Sequence, residues 1–184
     1  MAKTPSSMLP LGTHAPQFSL LDVVNGNTVN LTDNQARATV IMFICNHCPF
    51  VKYINNALVD LANDFLAKEV RFYAINANDV EKYPDDSPHN MKKIALTLQY
   101  PFPYLFDETQ EVARAYQATC TPDFFVFNKD MMLAYRGQFD DSRPGNGLPI
   151  DGSSIRTALD CLLANQDVPD NQKPSIGCNI KWKG

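Results

Sequence analysis

Apolar and polar positions alternate between extended and helical patterns along the chain. Residues 39–44 form a continuous apolar run rich in β-branched side chains, which is typical of a strand buried on both faces. Apolar residues then recur at helical spacing from residue 51 to residue 65, which predicts an amphipathic helix. Residues 70–75 predict a second buried strand. This order indicates a β-α-β unit with parallel strands.

Shorter segments precede and follow this unit. Residues 18–20 and 28–31 predict two short strands joined by a turn at Gly26, and therefore an N-terminal β-hairpin. Ser87 before Pro88 predicts the N-cap and first residue of a second helix.

The second half of the chain continues the alternation. Asp107, with Gln110 three residues later, predicts a capping box that begins a short helix. Residues 123–128 and 132–136 predict a second hairpin, and apolar residues between 155 and 162 predict a last helix. We therefore expect an α/β fold in which helices flank a central mixed sheet.

The length of 184 residues fits one domain. We expect a single domain over residues 1–184, with an N-terminal extension at 1–14 and a surface tail at 167–184. The expected anchors of this tail are Ile176, Ile180 and Trp182.

Composition excludes several classes of protein. Hydrophobic residues make up 45% and charged residues 20%, so a largely disordered chain is excluded. The net charge is −4 and no basic block occurs, so we expect no nucleic-acid partner. The longest apolar run, 40–45, is too short to span a bilayer, and no secretory signal is visible. Five cysteines are too few, and odd in number, for a disulfide scaffold, so we expect a cytoplasmic protein with thiol chemistry.

The strongest chemical signal is Cys45-Asn-His-Cys48, where the buried strand ends and the helix begins. We expect Cys45 at the helix N-terminus, where backbone N–H groups and the helix dipole favour a thiolate. Cys48, one turn later, would resolve the mixed disulfide that Cys45 forms with a substrate. His47, between them, would further stabilise the thiolate.

A zinc site is the other common use of a CxxC pair. It requires a second pair of ligands at a matching spacing, and the chain has none. Asp85 and Asp86 are interpreted as solvated loop charges. We therefore expect no metal and no organic cofactor. The remaining cysteines and histidines are scattered: His14, His89, Cys120, Cys161 and Cys178.

The combined motifs resemble a known family. A strand–CxxC–helix unit, followed later by Thr121-Pro122 before a hairpin, resembles the thioredoxin fold. Together with the segments 15–31, 43–51 and 175–182, it is similar to the alkyl hydroperoxide reductase/thiol-specific antioxidant (AhpC/TSA) group, in its peroxiredoxin-like thioredoxin-family branch. The resemblance implies a cis Pro122 facing the CxxC motif. It also implies a free backbone edge at Thr121 that pairs with a peptide substrate.

One departure from this family bears on function. Peroxiredoxins carry Pro-x-x-x-Thr/Ser-x-x-Cys, and Met42 holds the Thr/Ser position relative to Cys45. Our first interpretation is therefore a thiol–disulfide oxidoreductase that acts on a thiol or disulfide substrate, with electrons from another thiol system. A thiol peroxidase with Cys45 as the peroxidatic residue is the second interpretation. A thiol-based metal-binding or interaction module is the third.

Four further residues have two interpretations each. Cys120 is either an auxiliary redox thiol beside the substrate groove or a small residue in a tight loop. Arg136 is either an auxiliary cation for a thiolate or a solvated residue at a strand end. Cys178 is either a resolving thiol or, as we expect, a packed free thiol. The side chain of Cys161 is expected to be buried and to pack in the core.

Overall fold

A computed structural model describes residues 3–31 and 36–184 of the chain. Its strands, in chain order, are β1 (Lys3–Pro5), β2 (Ser19–Asp22), β3 (Thr28–Asn30), β4 (Ala38–Phe43), β5 (Val70–Asn76), β6 (Tyr104–Phe106), β7 (Cys120–Thr121), β8 (Asp123–Asn128), β9 (Leu133–Gly137) and β10 (Ile176–Asn179). Its helices are α1 (Pro49–Leu66), α2 (Pro88–Thr97), α3 (Glu111–Ala115) and α4 (Ser153–Leu163). A 3₁₀ turn spans Pro84–Asp86.

Seven strands form the central sheet in the order β3-β2-β6-β5-β4-β8-β9. β5 is parallel to both β4 and β6, and the remaining pairs are antiparallel. The predicted mixed sheet is therefore confirmed. The predicted N-terminal hairpin is β2 with β3, and its turn contains Gly26 at a φ of +80°. That backbone conformation suits a residue without a Cβ atom.

β4 lies at the centre of this sheet and is buried along its whole length. Val40 and Met42 pack on the face that carries α1, α2 and α4, whereas Ile41 and Phe43 pack on the face that carries α3. Side chains of a strand alternate between the two faces, so a strand covered on both sides is apolar throughout. Full burial of each such side chain contributes about 1.5–3 kcal/mol.

The starts of two helices test the capping predictions. Ser87 is the N-cap of α2 and accepts a hydrogen bond from the Asn90 N–H, so this prediction is confirmed. The capping box predicted for α3 is wrong. Gln110 stands at the N-cap with a φ of +64°, and its side chain donates to the carbonyls of Ala77 and Lys181. Asp107 instead accepts from the Ala113 N–H, inside the helix.

A second sheet has three strands in the order β1-β10-β7. It joins the two ends of the chain, with Lys3 opposite Cys178 and Cys178 opposite Thr121. The prediction of a surface tail is therefore wrong for this segment, and the predicted extension contributes a strand. Ile180 is buried, whereas Ile176 is exposed. No helix among the described residues is long and apolar enough to cross a membrane.

Candidate active site

The CxxC motif lies in the loop between β4 and α1. α1 begins at Pro49, which suits the first helical position because proline lacks an N–H donor. Cys48 is therefore the N-cap of the helix, although its side chain accepts no capping hydrogen bond. The expectation that Cys45 lies at the helix N-terminus is wrong, since Cys45 precedes the N-cap by three residues. The placement of the motif between a buried strand and a helix is as predicted.

Three cysteine sulfurs meet beside this N-cap. The Cys48 Sγ lies 3.1 Å from the Cys178 Sγ, and Cys45 is near enough to Cys48 for the pKa of each thiol to depend on the other. All three cysteines carry free thiols and are buried, with exposed fractions of 2%, 0% and 3% in chain order. The Cys45 Sγ also lies 3.3 Å from the Thr121 Oγ1, and the Cys48 Sγ lies 3.2 Å from the Thr121 carbonyl oxygen.

The surroundings of the two thiols of the motif shift their pKa values in opposite directions. The interaction with Cys45 lowers the pKa of Cys48 to about 5, against the effect of burial and with help from Cys178 and the Val51 N–H. The same interaction raises the pKa of Cys45, as do burial and the Asp86 carboxylate. The direction of these shifts favours a thiolate on Cys48 over one on Cys45, whereas the sequence pattern predicts a thiolate on Cys45.

Asp86 is the residue that sequence reasoning missed. The sequence predicts a solvated loop charge at this position. In the structure, however, the Asp86 side chain is fully buried and its Oδ2 lies 2.5 Å from the His47 Nδ1. The backbone N–H of Asn46 and the side-chain amide of Asn78 also donate to it, both at 2.7 Å. Burial alone would raise the pKa of Asp86, but the hydrogen bonds from His47 and Asn78 outweigh burial and lower it. Asp85, its neighbour, is exposed as predicted.

The contact with Asp86 fixes the orientation of His47. The imidazole stacks on the Tyr83 ring with centroids 5.4 Å apart. Its Nε2 is buried and has no hydrogen-bond partner among the described residues. A ring nitrogen of His47, the Cys45 Sγ and a carboxylate oxygen of Asp86 all lie within 4.8 Å of one another. This arrangement can move a proton at Cys45, and its donor set could also hold a metal ion.

Thr121 and Pro122 lie against the thiols, and the peptide bond between them is cis, as the family resemblance implied. The backbone edge of Thr121 is not free, however, because β7 pairs with β10 there. Ser175, just before β10, also donates to the Pro122 carbonyl at 2.5 Å. The expectation of an edge open to a peptide substrate is therefore wrong for this structure.

Comparison with known proteins identifies the family. The family model described as "AhpC/TSA family" matches residues 11–136, which is more than half of the chain. The chain belongs to the AhpC/TSA family. Among curated proteins, none matches the chain.

Solved structures extend the comparison of this AhpC/TSA protein to its full length. An uncharacterized conserved protein from Geobacillus kaustophilus is 62% identical, with a TM-score of 0.97, and the match covers 100% of this chain and 97% of that one. A hypothetical protein from Sinorhizobium meliloti 1021 is 43% identical, with a TM-score of 0.96 and coverage of 98% and 99%. A putative thiol:disulfide interchange protein DsbE from Chlorobium tepidum is 17% identical, with a TM-score of 0.68 and coverage of 84% and 99%, and it shares the fold.

This AhpC/TSA protein departs from the peroxiredoxin pattern at Met42, which is buried in the core of β4. The hydroxyl beside Cys45 comes instead from Thr121, which is distant in sequence. The Thr-Pro motif predicts Thr121 as a site residue, but nothing in the sequence indicates that its hydroxyl contacts Cys45.

The remaining candidates of the AhpC/TSA chain lie apart from these contacts. Arg136 donates to the carbonyl of Leu9 and to the side chain of Gln172. Cys120 is fully buried, and burial raises the pKa of its thiol above its usual value. Cys161 is half-buried on α4, so the prediction of full burial is wrong.

Proposed function

We propose that this protein is a thiol–disulfide oxidoreductase whose redox centre is the Cys45–Cys48 pair. The observation that carries the proposal is that both buried thiols contact Thr121, Cys45 at its hydroxyl (3.3 Å) and Cys48 at its carbonyl oxygen (3.2 Å), with Cys48 at the N-cap of α1. A thiolate at a helix N-terminus is stabilised by free N–H groups, and a second thiol in contact can close a disulfide with it.

The proposed reaction transfers two electrons between the protein and a substrate disulfide. The Cys45 sulfur attacks one substrate sulfur while its proton passes to the Cys48 thiolate, and the first substrate thiolate leaves and takes a proton from solvent. Cys48 then loses its proton and attacks the Cys45 sulfur, which releases the second substrate thiol. The pair ends as a disulfide, and the substrate ends as two thiols. A thiol donor, which we place in the cytoplasm, reverses these steps; no organic cofactor takes part.

His47 and Asp86 have supporting roles in this reaction. Asp86 binds the Nδ1 of His47, and a ring nitrogen of His47 lies within 4.8 Å of the Cys45 Sγ, so the imidazole is placed to exchange a proton with Cys45 or with the leaving thiolate. We assign His47 as a catalytic residue and Asp86 as a positioning residue that acts through it.

Thr121 and Pro122 form the wall of the proposed substrate site. Thr121 contacts both sulfurs of the redox pair, and its hydroxyl can hold a substrate sulfur or oxygen beside Cys45. Because β10 already pairs with this edge, the arrangement favours substrates that do not need to add a strand. A small disulfide meets this condition.

A thiol peroxidase is the second candidate, and one observation favours it. The Thr121 hydroxyl lies 3.3 Å from the Cys45 Sγ, so it can supply the contact that Met42 lacks. Cys45 would then attack the peroxide, release water or an alcohol and become a sulfenic acid, which Cys48 would convert to the disulfide. This candidate ranks second because the peroxiredoxin signature is absent before Cys45, where Ala38 and Met42 hold its Pro and Thr/Ser positions.

Side-by-side kinetics test the proposal. The reduced protein is mixed with hydroxyethyl disulfide in one series and with hydrogen peroxide in the other, and its oxidation is followed by stopped-flow fluorescence. We expect fast oxidation by the disulfide and oxidation by peroxide at a rate comparable with free cysteine. The fast reaction should be lost in Cys45→Ser and retained in the control Cys161→Ser. Peroxide oxidation orders of magnitude faster than that of free cysteine, lost in Cys45→Ser, would establish the peroxidase instead.

A metal-binding module is the third candidate, because Cys45, His47 and Asp86 offer ligand atoms within 4.8 Å of one another. Metal analysis of the anaerobically purified protein separates it from the redox candidates. We expect less than a stoichiometric amount of copper or zinc. One bound ion per chain that is lost in Asp86→Asn would favour the metal module.

A further inference from the structure

The C-terminal strand β10 occupies the edge where a peptide substrate was expected. Cys178 lies opposite Thr121 in the antiparallel register, and Asn179 lies opposite Cys120. Gly177 allows the close approach, since a Cβ atom at this position would lie 1.9 Å from the Thr121 carbonyl oxygen. The protein therefore holds a segment of its own chain where a partner strand would bind, with a cysteine next to the redox pair.

Cys178 differs from the other cysteines outside the CxxC motif. Its sulfur lies 3.1 Å from the Cys48 Sγ, about 1 Å more than a disulfide bond requires. Cys120 is just as buried and lies on the neighbouring strand, but its Sγ contacts the Pro122 carbonyl oxygen, at 3.8 Å. Burial on this edge is therefore not sufficient for a contact with the redox pair, and the position of Cys178 is specific.

We propose that Cys178 is a third redox thiol, which takes over the disulfide of the Cys45–Cys48 pair. The Cys178 sulfur attacks the Cys48 sulfur of the Cys45–Cys48 disulfide. The Cys48–Cys178 bond forms, the Cys45–Cys48 bond breaks, and the proton of Cys178 ends on the released Cys45 sulfur. No electrons enter or leave the protein in this step, so no further reactant is required. The proposal rests on the proposed function for the formation of the first disulfide.

The surroundings of Cys178 make this exchange conditional on the oxidation of Cys48. The pKa of Cys178 is raised to about 12. Burial is the largest cause, and the hydrogen bond to Cys48 and the charge of the Cys48 thiolate are the next two. Once Cys48 is part of a disulfide, its charge is gone and these two contributions disappear. Lys181 then still favours the Cys178 thiolate. Oxidation of Cys48 therefore removes two of the three causes that raise the pKa of Cys178, whereas burial, the largest, remains.

The exchange has a consequence for the substrate site. A Cys48–Cys178 bond ties β10 covalently to the N-cap of α1 and leaves Cys45 as a free thiol beside the Thr121 hydroxyl. In this form the edge of Thr121 is closed to a partner strand, and Cys45 can react with a small thiol or disulfide. We therefore assign the oxidised protein to small-molecule substrates rather than to extended peptides.

Disulfide mapping in a trapping variant tests the proposal. Cys45→Ser removes the competing partner, so mild oxidation with diamide should link Cys48 to Cys178. Combined trypsin and Asp-N digestion separates the cysteines, with Cys48 in peptide 38–52 and Cys178 in peptide 170–181. Cys120 falls in peptide 115–122 and Cys161 in peptide 160–166. We expect the 38–52/170–181 link to exceed any link to 115–122 by about tenfold or more, because the two sulfurs are already in contact.

The wild-type protein supplies the second measurement and does not depend on the variant. After oxidation it should contain both the internal Cys45–Cys48 disulfide in peptide 38–52 and the link to 170–181, and Cys178→Ala should retain the first alone. If the internal disulfide forms in the wild type and Cys178 stays fully alkylated in both the wild type and Cys45→Ser, the third thiol is disproved and the proposed function stands. If Cys48 links to Cys178 but never to Cys45, the proposed redox pair is disproved.

Discussion

The two sheets contribute to the site in different ways. The seven-stranded sheet delivers the CxxC motif from β4, its most buried strand, and packs helices on both faces. The three-stranded sheet is small, joins the two chain ends through β1 and β10, and adds Cys178 and the cover over Thr121. The first sheet therefore positions Cys45 and Cys48, and we propose that the second controls what reaches them.

This difference separates stability from access. A change in the large sheet removes core packing on which the whole fold depends, whereas a change in the small sheet alters a local cover. We expect the two kinds of variant to be distinguishable, because core variants lower the free energy of unfolding and cover variants alter reactivity at moderate cost in stability. The predictions below test that separation.

The largest expected effect is on the free energy of unfolding. Phe125 on β8 is 2% exposed and contacts the rings of Phe43 and Tyr116 at centroid distances of 5.9 and 5.6 Å. Phe125→Ala should lower the free energy of unfolding by about 3–5 kcal/mol. Ile176→Ala, at an exposed site on β10, should change it by about 0.5 kcal/mol or less. Urea denaturation gives both values; similar losses would show that the small sheet is part of the same cooperative core.

The next effect is on the cover itself. Gly177→Ala places a Cβ atom against the Thr121 carbonyl, so β10 must move away. We expect a loss of stability near the upper end of about 1–3 kcal/mol. The rate with a peptide disulfide should rise relative to the rate with hydroxyethyl disulfide. Gly184→Ala is the control, since its Cβ would lie 3.5 Å from the Lys82 Nζ, at ordinary contact distance. An unchanged ratio of rates would mean that β10 does not limit access.

The fold and the CxxC position were predictable because both depend on local patterns. The apolar run of β4 and the helical spacing of α1 identify themselves within short windows of sequence. β10 could not be found in this way, because its four residues gain their strand conformation from pairing with β1 and β7, far away in the chain. Asp86 was missed for a related reason: Asp85 and Asp86 are identical in type, and only tertiary packing buries the second.

A smaller effect is expected at Asp86. Asp86→Asn keeps one acceptor for the His47 ring but loses the carboxylate charge, so stability at about pH 7 should fall by about 1–2 kcal/mol. Because the folded protein lowers the pKa of the Asp86 carboxyl, the carboxylate stabilises the fold above its unfolded-state pKa of about 3.9. This stabilisation is lost as the pH falls through the lower pKa of the folded state. The gap between wild type and variant should therefore narrow below about pH 4. Asp85→Asn, at the exposed neighbour, should show neither effect in urea denaturation across this range.

The smallest effect is on the thiolate of Cys48. Ultraviolet absorbance should reveal a thiolate that titrates with a pKa of about 5 and is lost in Cys48→Ser. Cys178→Ala removes one hydrogen-bond donor to that thiolate and should raise its pKa by up to about one pH unit, equivalent to about 1.4 kcal/mol. Cys161→Ala should leave it unchanged. An unchanged titration in Cys178→Ala would mean that the small sheet does not influence the redox pair.

The most direct test of the redox pair is a redox titration of Cys178→Ala, in which the third thiol cannot accept the disulfide. The protein is equilibrated with mixtures of reduced and oxidised glutathione, quenched with acid, alkylated and digested with trypsin. We predict that peptide 38–52 loses two hydrogens and both alkylation sites together, in proportion to oxidation, and that Cys45→Ser in the same background abolishes this form. If Cys45 and Cys48 remain alkylated at every ratio, or carry glutathione separately, they are not a redox pair and the account is wrong.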